Sequence, residues 1–311
     1  MKRLLVTGSN GLLGTKLVSA ARRHWYVVGM DLQPDPAAGD GPSEYVRCDI
    51  TDGESVHRWM AEARPNAVVH AAAFTDVDAC EIHRDAAWSV NVRGTETVAS
   101  TCLDLGIPMV HLSTDYVFDG TGGPYAEDAG PHALSSYGKM KLESERVVQR
   151  LVPRALIVRT MILYGHHPSG RRNFVTWLVD KLARGEEVHV VTDQFGNPTW
   201  ADDLADALLV SIEKNLRGLY HMAGPEWLHR HAFAVRVAEA FGLDASLIHE
   251  TTSDLFKQRA PRPLRSGLTT AKFTRDAGFR FRCIDESFLI MKKQMVFDET
   301  ASHQTDAVPR R

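Results

Sequence analysis

Cysteine is scarce in this chain of 311 residues, and the four that occur, Cys48, Cys80, Cys102 and Cys283, are far apart. None has the near partner that a zinc site or a redox pair requires, so free thiols in a reducing compartment and no bound metal are expected. Long apolar runs are missing too: nothing approaches the roughly 20 residues of a membrane-spanning helix. The opening MKRLLVTGSNG is too short in apolar length for a signal peptide. No block of one charge sign occurs; 36 Lys and Arg stand against 39 Asp and Glu, a net charge of −3. Duplex binding usually needs a concentrated basic face, so nucleic acid is not an expected partner. There is also no internal repeat. A soluble, cytoplasmic protein without a membrane partner is the expectation, long enough for one large domain or two modest ones.

Against that background the first half has a clear rhythm. Short apolar runs at 4–6, 25–30, 45–48, 67–70, 109–112 and 155–158 read as strands, and helices are predicted over 12–23, 52–63, 86–105 and 137–151. Asp52 is placed to cap the second helix. Strands alternating with helices predict an α/β fold, a doubly wound parallel sheet covered on both faces. The second half is mixed, with helices predicted at 174–184, 201–215, 231–241 and 284–296 and a strand at 188–191. The predicted organisation is a dinucleotide-binding domain over 1–165, to which 200–225 return, and a smaller mixed α/β substrate-binding domain from 166–199 and 226–297. Residues 298–311 are polar, lack periodicity, and are expected to be disordered.

The first strand runs into T-G-S-N-G-L-L-G, with Gly8, Gly11 and Gly14 followed by a helix. Such a turn brings backbone N–H groups and a helix N-terminus up to a pyrophosphate, where a Cβ would obstruct the approach. Ser9, Asn10, Leu12 and Leu13 belong to the same candidate site. Asp31, ending the second strand, falls at the spacing expected for the adenosine ribose hydroxyls. A carboxylate there favours NAD(H) by repelling the extra phosphate of NADP(H), which stays possible. A Rossmann fold is the natural host. Asp49 and Ile50 follow the third strand, where Asp49 can reach the adenine amine. Ala71, Ala72 and Ala73 follow the fourth, where small residues admit a cofactor; close packing explains them nearly as well.

Tyr137 and Lys141 are four residues apart and share one face of a predicted helix. Reduction of a ketone delivers a hydride to carbon and needs a proton at oxygen. Tyrosine can donate it, but its ordinary pKa of about 10 is far from neutrality. A lysine ammonium beside the ring, with the positive nicotinamide of the oxidised cofactor, would stabilise the phenolate. Tyr116 is a competing donor, in the stretch Ser113-Thr114-Asp115-Tyr116 that ends a buried strand. The spacing to Lys141 favours Tyr137 and makes Tyr116 a packing residue.

These motifs, in order, resemble the extended short-chain dehydrogenase/reductase superfamily: the glycine turn, Asn91 in N-V-R-G-T, S-T-D at 113–115, and Y-G-K-M-K. A-A-F-T-D-V-D-A-C-E, S-T-D-Y-V-F-D-G, D-Q-F-G-N-P-T-W-A-D-D-L-A and R-P-L-R-S-G-L resemble its dTDP-4-dehydrorhamnose reductase branch over roughly residues 1–290. The resemblance implies that Thr114 hydrogen-bonds a substrate carbonyl beside Tyr137, that Lys141 holds the nicotinamide ribose, and that Asn91 lies near the cofactor. It implies a nucleotide-sugar substrate, with Asp115, Tyr116, Ile162, Asn173, Phe174, Gln194, Arg262 and Arg265 on its side. The run 257–265 suits a diphosphate, or equally a solvated loop. Asn173 and Phe174 can bond and stack on the substrate, with a core role for Phe174 as plausible.

Two departures stand out: Met161-Ile162 where the branch has Ser-Trp, and Arg265 where it has Asn. Both bear on which sugar is bound. Adjacent histidines at 166 and 167 diverge in direction and suggest no metal. The resemblance also implies a homodimer through the helices over 86–105 and 137–151. The expected activity is NAD(P)H-dependent reduction of a nucleotide-linked 4-keto-6-deoxy sugar. The alternatives are an NAD-dependent sugar-nucleotide epimerase or dehydratase, and a non-catalytic subunit resembling the regulatory beta subunit of methionine adenosyltransferase.

Overall fold

The structure is a computed structural model, and it describes residues 1–167, 172–256 and 258–305. Its chain begins with β1 (Arg3–Thr7), α1 (Leu12–Ala21), β2 (Tyr26–Asp31), β3 (Glu44–Arg47), α2 (Gly53–Ala63) and β4 (Ala67–His70). Then come α3 (Val77–Ile82), α4 (Arg84–Trp88), a π-helical turn (Ser89–Gly94), α5 (Thr95–Asp104) and β5 (Met109–Thr114). α6 (Ser136–Leu151), β6 (Leu156–Thr160), β7 (Leu163–Tyr164), α7 (Phe174–Ala183) and β8 (Val188–Val191) follow. Short strands β9 (Phe195–Gly196) and β10 (Thr199–Trp200) lead into α8 (Ala201–Glu213) and β11 (Gly218–His221). The chain closes with β12 (Leu228–His229), α9 (Arg230–Phe241), β13 (Ile248–Thr251), α10 (Ser253–Phe256), α11 (Ala271–Ala277) and α12 (Ile284–Thr305).

Seven strands form one parallel sheet in the order β11-β6-β5-β4-β1-β2-β3. Side chains of a strand alternate between faces, and each face has its own core. Leu4 and Val6 of β1 pack with Leu17, Leu204, Leu208 and Phe273 beneath α1, α8 and α11. Leu5 faces the other way, toward Val56, Met60, Val98 and Val148 of α2, α5 and α6. A third core joins Tyr164, Leu178, Trp200, Phe233, Ile248 and Phe288. It holds α7, α9 and the start of α12 around the parallel pair β8–β13.

Beyond short elements that the sequence reading left unassigned, three differences bear on the architecture. The predicted helix over 86–105 is broken into α4, the π turn and α5. At Gly94 a Cβ would come within 2.7 Å of Ile50 Cδ1, so this helix approaches the turn after β3 closely. β11, for which no strand is predicted, adds an edge strand on β6; its register needs β6 already in place. α12 continues through residues 298–305, where disorder is expected, because an established helix extends at one hydrogen bond per residue. Residues 306–311 and position 257 lie outside the described residues.

Candidate active site

The order of the sheet reverses between β1 and β4, and ligands of such sheets bind at the carboxyl ends of strands there. A cleft of about 1170 Å³ opens at that place. Its floor starts at Gly8, whose φ is +70°. A Cβ on Gly8 would stand 2.7 Å from Ala72 N, and one on Gly14 would overlap the Gly8 carbonyl oxygen. These two glycines let the turn close on α1 and on the chain leaving β4. Gly11 caps α1 with no side chain of its own, which leaves first-turn N–H groups for a ligand. Leu12, Leu13, Ile50, Ala71, Ala72 and Ala73 line the walls. Ser9 is buried and outside the lining, its Oγ lying against the position a Gly29 Cβ would take.

Asp31 lines the cleft and accepts from Asn10 N at 3.0 Å and Gln33 N at 3.2 Å, leaving lone pairs for other donors. Asp35 is on the same rim. The Asn10 side chain is spent on the loop: its Nδ2 donates to Asp35 O at 2.8 Å, and its Oδ1 accepts from Ala37 N at 2.9 Å. Asp49 commits one oxygen to Thr51 N at 2.9 Å and Thr51 Oγ1 at 2.8 Å. His167 Nε2 lies 3.1 Å from Asn10 O.

At the far end of the cleft, β5 delivers Thr114 and Asp115 while α6 delivers Tyr137 and Lys141. Ser135 caps α6 by accepting from Gly138 N at 3.1 Å. Gly138 matters here because a Cβ would overlap the Tyr116 carbonyl oxygen. That close approach sets the Tyr116 ring edge-on to Tyr137, with centroids 5.7 Å apart. Thr114 Oγ1 accepts from Tyr116 N and donates to Asp115 Oδ1, both at 3.2 Å, and Ser266 Oγ donates to Asp115 Oδ2 at 2.7 Å.

Burial pushes the Asp115 carboxyl up to about 6, against the hydrogen bonds from Ser266 and Thr114 and the charge of Arg230. Burial, then Asp115, raises the Tyr137 phenol above its ordinary value, with Thr114 working the other way. Burial lowers the Lys141 ammonium to about 8, and Glu145 opposes the shift. The chain's own residues therefore raise the tyrosine rather than give the expected depression. The phenol is held protonated, the form a donor must have.

Of the other candidates, Ile162 and Asn173 line the cleft. Ile162 has φ +47°, a left-handed conformation that a β-branched residue rarely adopts. Asn173 is the N-cap of α7, and its Nδ2 donates to Gly165 O at 2.6 Å. Five residues are placed elsewhere. Asn91 sits in the π turn and is spent on Phe74, accepting from its N at 2.8 Å and donating to its O at 3.0 Å. Phe174 stacks on Phe233 at 5.6 Å and packs on the third core. Gln194 donates to Ser253 Oγ at 2.9 Å and Gln258 Oε1 at 2.7 Å. Arg262 forms a two-pronged pair with Asp78 at 2.9 and 2.8 Å, although its charge still reaches Tyr116. Arg265 lies over the rings of Phe195 and Trp227, at 4.8 and 5.1 Å.

Two residues that act on Asp115 escape the sequence reading. Ser266 lies inside the quoted R-P-L-R-S-G-L and was findable there. Arg230 opens α9 with no motif around it, yet its charge acts on Asp115 and Tyr116. No hydrogen bond or ion pair holds its guanidinium among the described residues; it rests over Phe174 at 5.6 Å.

Comparison with known proteins bears on the family and the fold. A family model described as RmlD substrate binding domain matches residues 1–295. A dTDP-4-dehydrorhamnose reductase of Streptomyces griseus is 37% identical over 278 residues, covering 87% of this chain and 86% of that one. Methionine adenosyltransferase 2 subunit beta of Danio rerio is 30% identical over 278 residues, covering 87% and 84%. The crystal structure of dTDP-4-dehydrorhamnose reductase from Bacillus anthracis in complex with NADP superposes with a TM-score of 0.85 at 29% identity, covering 94% of this chain and 100% of that one.

Proposed function

The chain belongs to the RmlD substrate binding domain family, and from that membership we propose that it is a nicotinamide-dependent reductase of a nucleotide-linked 4-keto-6-deoxy sugar. The observation that carries the reading is the convergence of Thr114, Tyr137 and Lys141 on one cleft with the glycine turn and Asp31. The residues present fit a dinucleotide: Gly8 and Gly14 leave room that a Cβ would fill, and the first-turn N–H groups after Gly11, with no side chain capping them, would meet a pyrophosphate. Asp31 would hold the adenosine ribose, Asp49 the adenine, and Lys141 the nicotinamide ribose. When bound in its reduced form, the cofactor supplies a hydride to the keto carbon.

The chain's own residues do the rest. Thr114 orients the carbonyl oxygen, and Tyr137 gives it a proton from the phenol that burial keeps protonated. The Lys141 ammonium then stabilises the phenolate left behind. Asp115 and Tyr116 meet the sugar, with Ile162 and Asn173 opposite. Arg230, whose charge reaches Asp115 and Tyr116, would meet the diphosphate, a part the sequence reading gave to the 257–265 run or to a solvated loop. In this reading the lobe of residues 166–199 and 226–297 closes over the sugar.

Net oxidation of NADH or NADPH by a dTDP-4-keto-6-deoxy sugar tests the proposal. Tyr137→Phe is expected to lower kcat by roughly 10² to 10⁴ while cofactor binding is retained. A variant as fast as wild type would rule the role out. The relative named as a methionine adenosyltransferase subunit favours a second reading, a partner-binding subunit. Recovery of a stoichiometric partner, with no turnover of any keto-sugar nucleotide, would select it.

A further inference from the structure

Behind Lys141 lies a buried charge group that the proton transfer above does not use. Glu145 follows Lys141 by four residues, so Tyr137, Lys141 and Glu145 form one stripe along α6. The Glu145 carboxylate is almost fully enclosed, at 2% exposure. It accepts from Arg159 Nε at 2.8 Å and Arg159 Nη2 at 2.7 Å, and from Ser113 Oγ at 2.5 Å. Ser113 and Arg159 are partners across β5 and β6, and the next pair in that register is Thr114 with Thr160, both in the cleft lining. One carboxylate on α6 thus holds both strands at the edge of the cleft, where Ser113 itself joins Thr114 and Thr160 in the lining.

Charge gives a second reason for it. Arg159 and Lys141 are both buried cations, and no hydrogen bond from the described residues reaches the Lys141 ammonium. A buried ion pair is seldom the cheapest way to hold a fold, since apolar residues of like volume often serve as well. The retained charge therefore calls for a role beyond packing.

We propose that Glu145 is a positioning residue for the Thr114, Tyr137 and Lys141 group, fixing β5 and β6 against α6 and compensating the charge of Lys141. The proposal deepens the reductase reading and rests on it for its kinetic arm alone. The titratable groups that interact electrostatically with Lys141 are His70 from β4, His111 from β5 and Glu145 from α6, while Asp115, Tyr116 and Cys80 act on the neighbouring Tyr137, and Arg159 pairs with Glu145. Burial and Lys141 hold both histidines neutral near pH 7, and burial pushes the Cys80 thiol up to about 11. Glu145 opposes the lowering of Lys141 by burial.

The test uses the full chain. Lysine side-chain NMR follows the titration of Lys141 without ligand, and the alkaline limb of kcat follows it during turnover. In Glu145→Gln, Lys141 should titrate below its wild-type value of about 8, with the alkaline limb moving to lower pH. Glu145→Asp should bring both back toward wild type. Ser113→Ala, which keeps every charge, should lower kcat roughly tenfold to a hundredfold, the scale of a small misplacement at reacting atoms, with the alkaline limb unmoved. An unchanged Lys141 titration in folded Glu145→Gln overturns the charge role. Should that variant not fold, wild-type kcat in Ser113→Ala overturns the positioning role. If wild type reduces no keto-sugar nucleotide, the reductase reading fails while the NMR titration still decides this one.

Discussion

Asp31 spends two acceptor sites on the backbone of Asn10 and Gln33, and the rest of its charge faces the cleft with Asp35 beside it. A phosphate on the adenosine ribose would meet both carboxylates in a poorly screened place, and like charges set together cost several kcal/mol. NADH should therefore be preferred over NADPH. Asp31→Asn removes the charge and keeps one acceptor for the loop. It should shrink the ratio of kcat/KM values for the two cofactors about tenfold, or about 1.4 kcal/mol; an unchanged ratio would clear Asp31 of the selection. Asp31 is legible in the sequence because strand length and glycine spacing fix its place. The duties of Asn10 and Asn91 are not, because their partners are backbone atoms of Asp35, Ala37 and Phe74, placed by loops without periodicity. Arg230 was invisible for a related reason. Nothing local marks an arginine at a helix start, and its meaning arises only when α9 folds against the turn after β5.

At the scale of elements, β4 and β5 were legible as apolar runs, but their polar inward residues were not legible as a pair. His70 and His111 are register partners on these strands, stacked at 5.5 Å. His70 sits between Thr7 Oγ1 at 2.8 Å and Thr95 Oγ1 at 3.0 Å, and His111 Nε2 lies 2.9 Å from Ser144 Oγ. The hydroxyls serve neutral rings, and burial, with Lys141, lowers His70 to about 3 from its ordinary 6.5. The sign follows by linkage. Above pH 6.5 both folded and unfolded states carry a neutral ring, so stability is intact there. Below it the unfolded chain gains a proton that the folded one refuses, and stability falls until the pH reaches the folded value. Unfolding free energy of the ligand-free protein should drop as pH falls below 6.5. His70→Gln should flatten that slope even if it costs stability overall. Denaturant titrations over that window measure it, and parallel slopes in the two proteins would contradict the assignment. The helix over 86–105 shows the complementary limit: its periodicity predicts one rod, whereas the close approach of Gly94 to Ile50 and the tie from Asn91 to Phe74 accompany a π turn.

At the scale of the whole molecule, separate cores imply separate responses to ligands. The glycine turn, Asp31, Asp49 and the alanines after β4 all hang on the central sheet, whose two faces are packed by α1, α8, α2, α5 and α6. Asn173 and Arg230 start α7 and α9, which pack on the third core. A cofactor reaching only the first set should slow amide exchange at 8–15, 31–37 and 71–74 and leave α7 and α9 near their ligand-free rates. In the proposed reading a nucleotide diphosphate sugar meets Asn173 and Arg230, so adding it to the cofactor-bound protein should extend protection to the starts of α7 and α9. Hydrogen exchange read by mass spectrometry separates these segments. If the cofactor alone protected α9 as strongly as α1, the two lobes would respond as one body, and the division of labour proposed for residues 166–199 and 226–297 would fall. If the sugar nucleotide protected neither helix start, Arg230 would lose its place as the diphosphate cation.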